Sequence, residues 1–443
     1  MDENGKLTNQ QTIKPKCDTI SNKFHTIIGE TLRSRRPDLL FLGMILLVLL
    51  LAVGVTWFNY NFLVPLGGDE VFAPIWEASQ LVLEDNGNPY TPQAVERSSI
   101  LLSDSPNPPR FLYPYYSIPV FAPFAMITSY SMARAVWMTV MFGCLVGLIF
   151  TALALTRWQP HAFIMLVYLV FALGSIASVR AFFLGNPALL ASIFVGFGLL
   201  LVVQERYGAA GVFFGLSIIK PQMVFLLLVF VLLWAVSKRY LQMAGSMVLT
   251  VLILVGGAVA VSPIWFVYYY YDLLEFFKET FPASFAAAVW AWLPDVGPLA
   301  MGLAALGLFI WLLVEWWRAL GKDSRWFLWT ASLTLTVSCL VGLPSSISNQ
   351  VVLLVPLALV FSLWSQRFQG QGNTLSVVVM ILLLGIDWLA YGLTVGFDLS
   401  APANLLMLIL RPAAVLLLLY WVRYWALNSV RLKVSHLEAY RRL

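Results

Sequence analysis

Two kinds of residue stand out chemically in this apolar chain: carboxylates beside its first hydrophobic run, and cations inside later ones. Asp69 and Glu70 follow Gly67-Gly68 a short way past that run. A carboxylate held there can take the proton from a hydroxyl at head-group level, as a general base. Glu70 can orient that hydroxyl, assist the base or bind a divalent ion. Lys220 lies in an apolar stretch just before Pro221, and Arg411 lies in the last apolar run just before Pro412. A lysine at mid-membrane costs about 2.5–3.5 kcal/mol on insertion scales, so it faces a cavity or a partner. Cations so placed can stabilise a departing phosphate. Arg110 and Arg180 flank aromatic segments (Phe111-Leu112-Tyr113-Pro114 and Phe182-Phe183-Leu184-Gly185). Their guanidinium forks suit a phosphate or pyrophosphate. Asn349-Gln350 follow Ser345-Ser346-Ile347-Ser348 and can hydrogen-bond a sugar.

Each residue also has a plainer reading. Two acidic residues in a loop are commonly a solvated face. Lys220 can form a structural salt bridge with Asp387, which itself sits within an apolar run. Arg411 can pair with the same carboxylate, and structural pairing has the edge there. Arg110 and Arg180 serve equally as interfacial anchors, and Asn349-Gln350 as a helix cap. The three cysteines (Cys17, Cys144, Cys339) and three histidines (His25, His161, His436) are scattered and show no metal-ligand spacing. No metal centre is expected from them.

The elements that must position these groups are membrane helices. Of all residues 60% are hydrophobic and only 11% charged, and several continuous runs are long enough to cross a bilayer. The expected class is an all-α polytopic membrane protein. Spans are predicted at 39–58, 131–156, 161–179, 187–203, 209–219, 222–236, 243–262, 298–317, 326–343, 350–364, 375–393 and 403–425. That makes about 11–12 crossings of bilayer length, with the pair broken at Lys220-Pro221 short and kinked. With the N-terminus inside, 20 of the 27 Lys and Arg residues fall on cytoplasmic segments, the bias expected of such proteins. Both termini are therefore expected in the cytoplasm.

The predicted organisation is a basic tail at 1–37, a membrane domain at 38–426 and a basic tail at 427–443. Within the domain, a first outer loop covers 59–130 and a second covers 263–297. Each outer loop is expected to carry a helix lying on the membrane surface. In Pro74–Asp85, Glu77, Gln80 and Glu84 form a polar stripe; in Ile264–Phe281, Asp272, Glu275 and Glu279 do the same. The apolar 117–128 segment is too short to cross and should dip into the outer leaflet. Residues 1–36 lack the apolar core and cleavage site of a signal peptide. The net charge of +5 comes from the cytoplasmic loops and is no nucleic-acid signal.

The order of several segments resembles glycosyltransferase family 87, polytopic enzymes of the GT-C fold that use polyprenyl-phosphate sugars. Asp69 is followed by Gly87-Asn88-Pro89-Tyr90, then Phe111-Leu112-Tyr113-Pro114, Ala122-Pro123-Phe124 and Trp137. Leu184-Gly185-Asn186 and the glycine-rich helix from Gly211 to Lys220-Pro221 come next. The resemblance covers roughly residues 39 to 365. It implies that Asp69 is the catalytic base with Glu70 beside it. By their own chemistry Lys220, Arg110, Arg180 and Arg411 are expected to hold the donor phosphate. Tyr90, Tyr113, Asn186, Asn349 and Gln350 would contact substrate. Two departures exist: Gly185-Asn186 stands where relatives commonly have Gly-Gln, and Asn349 where many have His.

The activity implied is inverting transfer of a hexose, with mannose as in characterised relatives, from a polyprenyl phosphate to a glycolipid or glycan hydroxyl. The implied setting is the outer face of a cell membrane, in the cell envelope. No cofactor is required, although a divalent cation can assist. Two competing readings are a transporter or flippase of lipid-linked sugar, and a non-catalytic membrane subunit.

Overall fold

The computed structural model describes residues 37–68, 70–85, 87–101, 110–279, 297–341, 346–396 and 400–428. Asp69 and both basic tails lie outside them, as does most of the second loop beyond Glu279. Among the described residues there are helices and no strand. Pro37–Val55 belongs to a compact unit of its own, and residues from Thr56 onward form the second.

The first helix, α1 (Pro37–Phe58), is an uninterrupted apolar run; a π-turn (Asn59–Leu63) and a 3-10 turn (Val64–Leu66) follow it. The first loop holds α2 (Phe72–Asp85), α3 (Pro92–Leu101), a 3-10 turn at Tyr115–Ser117 and α4 (Ile118–Ala125). Then come α5 (Tyr130–Thr156), α6 (Ala162–Gly174), α7 (Ile176–Phe183), α8 (Ala188–Val203) and α9 (Tyr207–Leu216). A 3-10 turn (Ser217–Ile219) leads to α10 (Pro221–Ser237), followed by α11 (Leu241–Val261) and α12 (Trp265–Glu279). The chain continues through α13 (Gly297–Ala319), α14 (Ser324–Val341), a 3-10 segment (Ile347–Leu353), α15 (Leu354–Gly396) and α16 (Ser400–Leu427).

Every expected span coincides with a helix. Seven described helical segments are long and apolar enough to cross a membrane, two of them sharing α15; α6 and α7, bent by 50°, count as an eighth if taken as one span. Three shorter apolar helices, in α8, α9 with its 3-10 turn, and α10, accompany them. The described fold is that of an all-helical polytopic membrane protein.

The short helices are explained by close packing. A β-carbon on Gly211 would lie 2.3 Å from the Met243 carbonyl oxygen, and one on Gly215 3.0 Å from that of Met247. Small residues one turn apart let α9 lie directly on the α11 backbone. The connection between the spans 350–364 and 375–393 differs from expectation. It stays helical, and α15 folds back on itself near Gly372, where a β-carbon would meet the Trp364 carbonyl at 2.0 Å.

The expected surface helix at Pro74–Asp85 needs a larger correction. In α2 every residue from Phe72 to Ser79 is buried, Glu77 included. Its polar groups add donors to carbonyls at the end of its neighbour α4, where helical donors run short. Trp76 Nε1 donates to the Phe124 oxygen and Gln80 Nε2 to that of Ala125, both at 3.2 Å. The stripe read as solvent-facing is partly a cap for another helix.

Trp137 on α5 is the hub of this region. Phe72 stacks on it at 5.5 Å, and Phe121 and Phe124 meet it edge-on at 5.6 and 4.8 Å. Its Nε1 donates to the Gly185 carbonyl at 2.8 Å. Trp137→Ala is expected to destabilise the fold by about 3–5 kcal/mol, the usual range for a fully buried aromatic. Thermal unfolding in detergent checks this, and an unchanged midpoint would contradict it.

Candidate active site

The site is organised around the turn between α7 and α8. At the end of α7, Gly185 takes φ +63°, and a β-carbon there would lie 2.8 Å from that of Phe72. Glycine is required on both counts. The turn presents Asn186, which is 4% exposed. Its Oδ1 accepts from the Ala188 backbone N–H at 3.0 Å, capping α8, and also from Lys220 Nζ.

Lys220 reaches this amide because Pro221 keeps the preceding residue out of helical geometry. Lys220 has φ −129° and ψ 73°, and Pro221 opens α10 as its first residue. Tyr116 donates from its hydroxyl to the Ile218 carbonyl at 3.1 Å, fixing the 3-10 turn just before the break. The ammonium is 2% exposed, with the Tyr113 ring centroid 6.0 Å away. Among the described residues no carboxylate pairs with it. A buried ammonium held by one neutral amide and one ring is under-compensated, which makes it receptive to an anion.

The turn leading to Asp69 is tied to the same place. Gly67 and Gly68 have φ +76° and +86°, values that only glycine adopts readily. Arg134, at the start of α5, donates to the Val64 carbonyl at 3.0 Å and to the Gly67 carbonyl. A β-carbon on Gly68 would be 3.8 Å from the Phe183 oxygen, three residues before Asn186. The residue immediately before Asp69 therefore lies near both the end of α7 and the Arg134 guanidinium. Asp69 lies outside the described residues; Glu70 is exposed. Arg134 was missed by sequence reasoning. Its only signal was a lone arginine in the first turn of an apolar helix.

Tyr90 joins through Tyr113: its hydroxyl donates to the Tyr113 carbonyl at 2.8 Å, and its ring lies 5.6 Å from Tyr269 of α12. Burial raises both hydroxyls well above the ordinary tyrosine value. Tyr269 is pushed up to about 12, by burial first and Asp272 second. These phenols are neutral hydrogen-bonding groups. Burial also raises the Glu77 carboxyl, with Arg97 opposing it.

The remaining candidates gather elsewhere. Arg110 Nη1 pairs with Asp272 Oδ1 at 2.9 Å and Glu275 Oε2 at 3.0 Å. The acidic stripe of α12 thus faces a partner, and this pair ties the first loop to the second. Arg110→Gln should loosen α12 while leaving the Asn186–Lys220 pair in place. Faster hydrogen exchange confined to α12 is the expected readout, and unchanged exchange there would refute the tether.

Arg411 Nη1 lies 3.3 Å from Asp387 Oδ2, with the guanidinium 5.3 Å from the Phe171 ring centroid. This resolves the competition for Asp387 in favour of Arg411. Gln350 Nε2 donates to the Met407 and Leu408 carbonyls, both at 3.0 Å. Pro412, lacking an N–H, cannot satisfy the Leu408 carbonyl one turn back, so Gln350 repairs the kink in α16. Among the described residues, Asn349 Oδ1, Arg411 Nε and Nη2, and Arg180 Nε are buried without hydrogen-bond partners. Arg180 is in the last turn of α7, which packs on the Ile347–Leu353 segment. Helix α8 touches both that segment and the Ser217–Ile219 turn. Among the described residues, no three His, Cys, Asp or Glu side chains converge as metal ligands.

A comparison with protein-family models finds glycosyltransferase family 87 over residues 111–344. The match takes in Tyr113, Arg180, Asn186 and Lys220, and it begins after Asp69 and Glu70. No curated protein and no solved structure matches the chain. The family match covers more than half of the sequence, and the chain belongs to glycosyltransferase family 87, a family of glycosyltransferases.

Proposed function

We propose that this membrane glycosyltransferase moves a hexose, mannose first among the candidates, from a polyprenyl phosphate to a hydroxyl of a glycolipid or glycan. The reaction is assigned to the outer face of a cell membrane, with both termini cytoplasmic. Asp69 removes the acceptor proton, the acceptor oxygen attacks the anomeric carbon, and the carbon–oxygen bond to phosphate breaks with inversion. Lys220 takes up the charge on the departing polyprenyl phosphate. Asn186 holds Lys220 in position. Tyr90 and Tyr113 line the approach, and Glu70 assists from the loop. The observation that carries this reading is the shared α7–α8 turn. Gly68, the residue before Asp69, lies against Phe183, while Asn186 accepts from Lys220.

Arg180, Asn349 and Arg411, with buried polar atoms to spare, are assigned to the rest of the same donor. Arg411 and Gln350 also have packing partners in hand, so their assigned part is to shape the donor groove. Arg110 acts by holding α12 against the first loop. No metal is required where Lys220 neutralises the leaving group; a divalent ion at Glu70 remains compatible with the scheme.

The test is reconstitution of the full chain in liposomes with a hexosyl polyprenyl phosphate and a glycolipid acceptor. Glycosylated acceptor should appear in equal amounts with free polyprenyl phosphate, and the new bond should have the opposite anomeric configuration to the donor. Movement of intact donor between leaflets without product would instead identify a transporter.

A further inference from the structure

The end of the molecule remote from the Asp69 turn carries a second place built for an anion. Helices α5, α8 and α10 each begin beside the site, at Tyr130, Ala188 and Pro221, and run away from it. All three finish with a residue in the left-handed region where glycine is usual: Arg157 (φ +52°), Glu205 (φ +60°) and Arg239 (φ +60°). After Arg157, the Trp158 N–H returns to the Leu153 carbonyl at 3.1 Å, closing the helix end. A side chain retained where glycine would fold more easily invites a reason for the side chain.

At the α5 end that reason is a cavity. It is a depression of about 490 Å³, open to the surface and lined by Leu153, Arg157, Trp158, Gln159 and Met165, among others. Arg157 is exposed at its edge, whereas Trp158 is only 4% exposed. The Trp158 indole packs on Tyr168 at 5.1 Å and Phe361 at 5.6 Å, yet its Nε1 has no hydrogen-bond partner among the described residues. A buried indole N–H normally finds an acceptor. The wall is polar at Arg157 and Gln159 and apolar at Leu153 and Met165. Beside Met165, Phe163 and Leu166 of α6 are exposed along the membrane-facing surface.

We propose that this cavity holds the phosphate head of an anionic membrane lipid in the leaflet opposite the reaction. Arg157 binds the phosphate oxygens through its fork, the Trp158 side chain lines the site beside it, and Leu153 and Met165 meet the first methylenes. The lipid's tails continue over Phe163 and Leu166. The mixed wall and that apolar strip favour a lipid over free phosphate. Only the assignment of leaflet rests on the proposed function; the site itself does not.

The test uses the purified full chain in detergent, read by thermal unfolding and by native mass spectrometry. Phosphatidylglycerol should raise the unfolding midpoint and stay bound; phosphatidylcholine and inorganic phosphate should do neither. Arg157→Gly removes the fork and relieves the left-handed backbone. It should keep or raise the basal midpoint while losing the phosphatidylglycerol shift. Arg157→Gln, which keeps a long side chain, should lose the shift as well. Arg239→Gly, at a helix end that does not line the cavity, should retain it. Survival of the shift in both Arg157 variants would overturn the site. So would an equal loss in Arg239→Gly, or the same shift from inorganic phosphate. Because sugar transfer is not measured, failure here is separable from failure of the catalytic assignment.

Discussion

Asp69→Asn is expected to lower sugar transfer by about 10²–10⁴-fold, the usual contribution of a positioned general base. Donor affinity and the unfolding midpoint should stay near wild type. The amide matches the carboxylate in size but cannot accept the acceptor's proton. The turn that leads into Asp69 should persist, because its anchors do not involve the Asp69 side chain. Arg134 holds the Val64 and Gly67 carbonyls, and Gly68 lies against Phe183. Glu70→Gln, at an exposed neighbour, should reduce transfer far less. Transfer by Asp69→Asn within a few-fold of wild type would remove Asp69 from the mechanism.

The second large effect falls on Lys220, and it should appear with opposite signs in two measurements. Lys220→Met keeps the volume of the stem and deletes the ammonium. Losing one partner of a buried charge pair costs about 2–5 kcal/mol, so donor affinity should fall roughly 30-fold or more. The unliganded protein, by contrast, should unfold at the same or a higher temperature. An under-compensated buried cation is a burden that methionine relieves. Asn186 keeps its bond from the Ala188 N–H, so α8 retains its cap. A fall in stability with unchanged donor binding would make Lys220 a structural residue.

The membrane helices were legible in the sequence because continuous apolar runs are a long-range signal that packing does not alter. The Lys220-Pro221 break was legible for a local reason, since proline dictates the geometry of the residue before it. Gly185 and Asn186 were legible through the motif, and the structure supplies the causes: a positive φ and a helix cap that also receives an ammonium. What escaped were partners distant in sequence. Gln80 and Trp76 looked like part of an interfacial helix because nothing local shows that α4 needs their hydrogen bonds. Arg110 gave no hint that Asp272 and Glu275 would meet it from the second loop. Arg134 was hidden by its place at a helix start, where an arginine reads as a surface anchor. Gln350 was read as a sugar contact or a cap. Its amide donates instead to mid-helix carbonyls of α16, where Pro412 leaves one without its helical donor.

The central claim is that Asp69 and Lys220 work on opposite sides of one sugar–phosphate bond. A structure of the full chain with a bound polyprenyl phosphate tests it most directly. The account predicts the phosphate on Lys220 Nζ, beside Asn186, with the Asp69 carboxylate facing the place where the anomeric carbon would sit. A phosphate seated instead by Arg411 and Asn349, with Lys220 still closed on Asn186 alone, would contradict it.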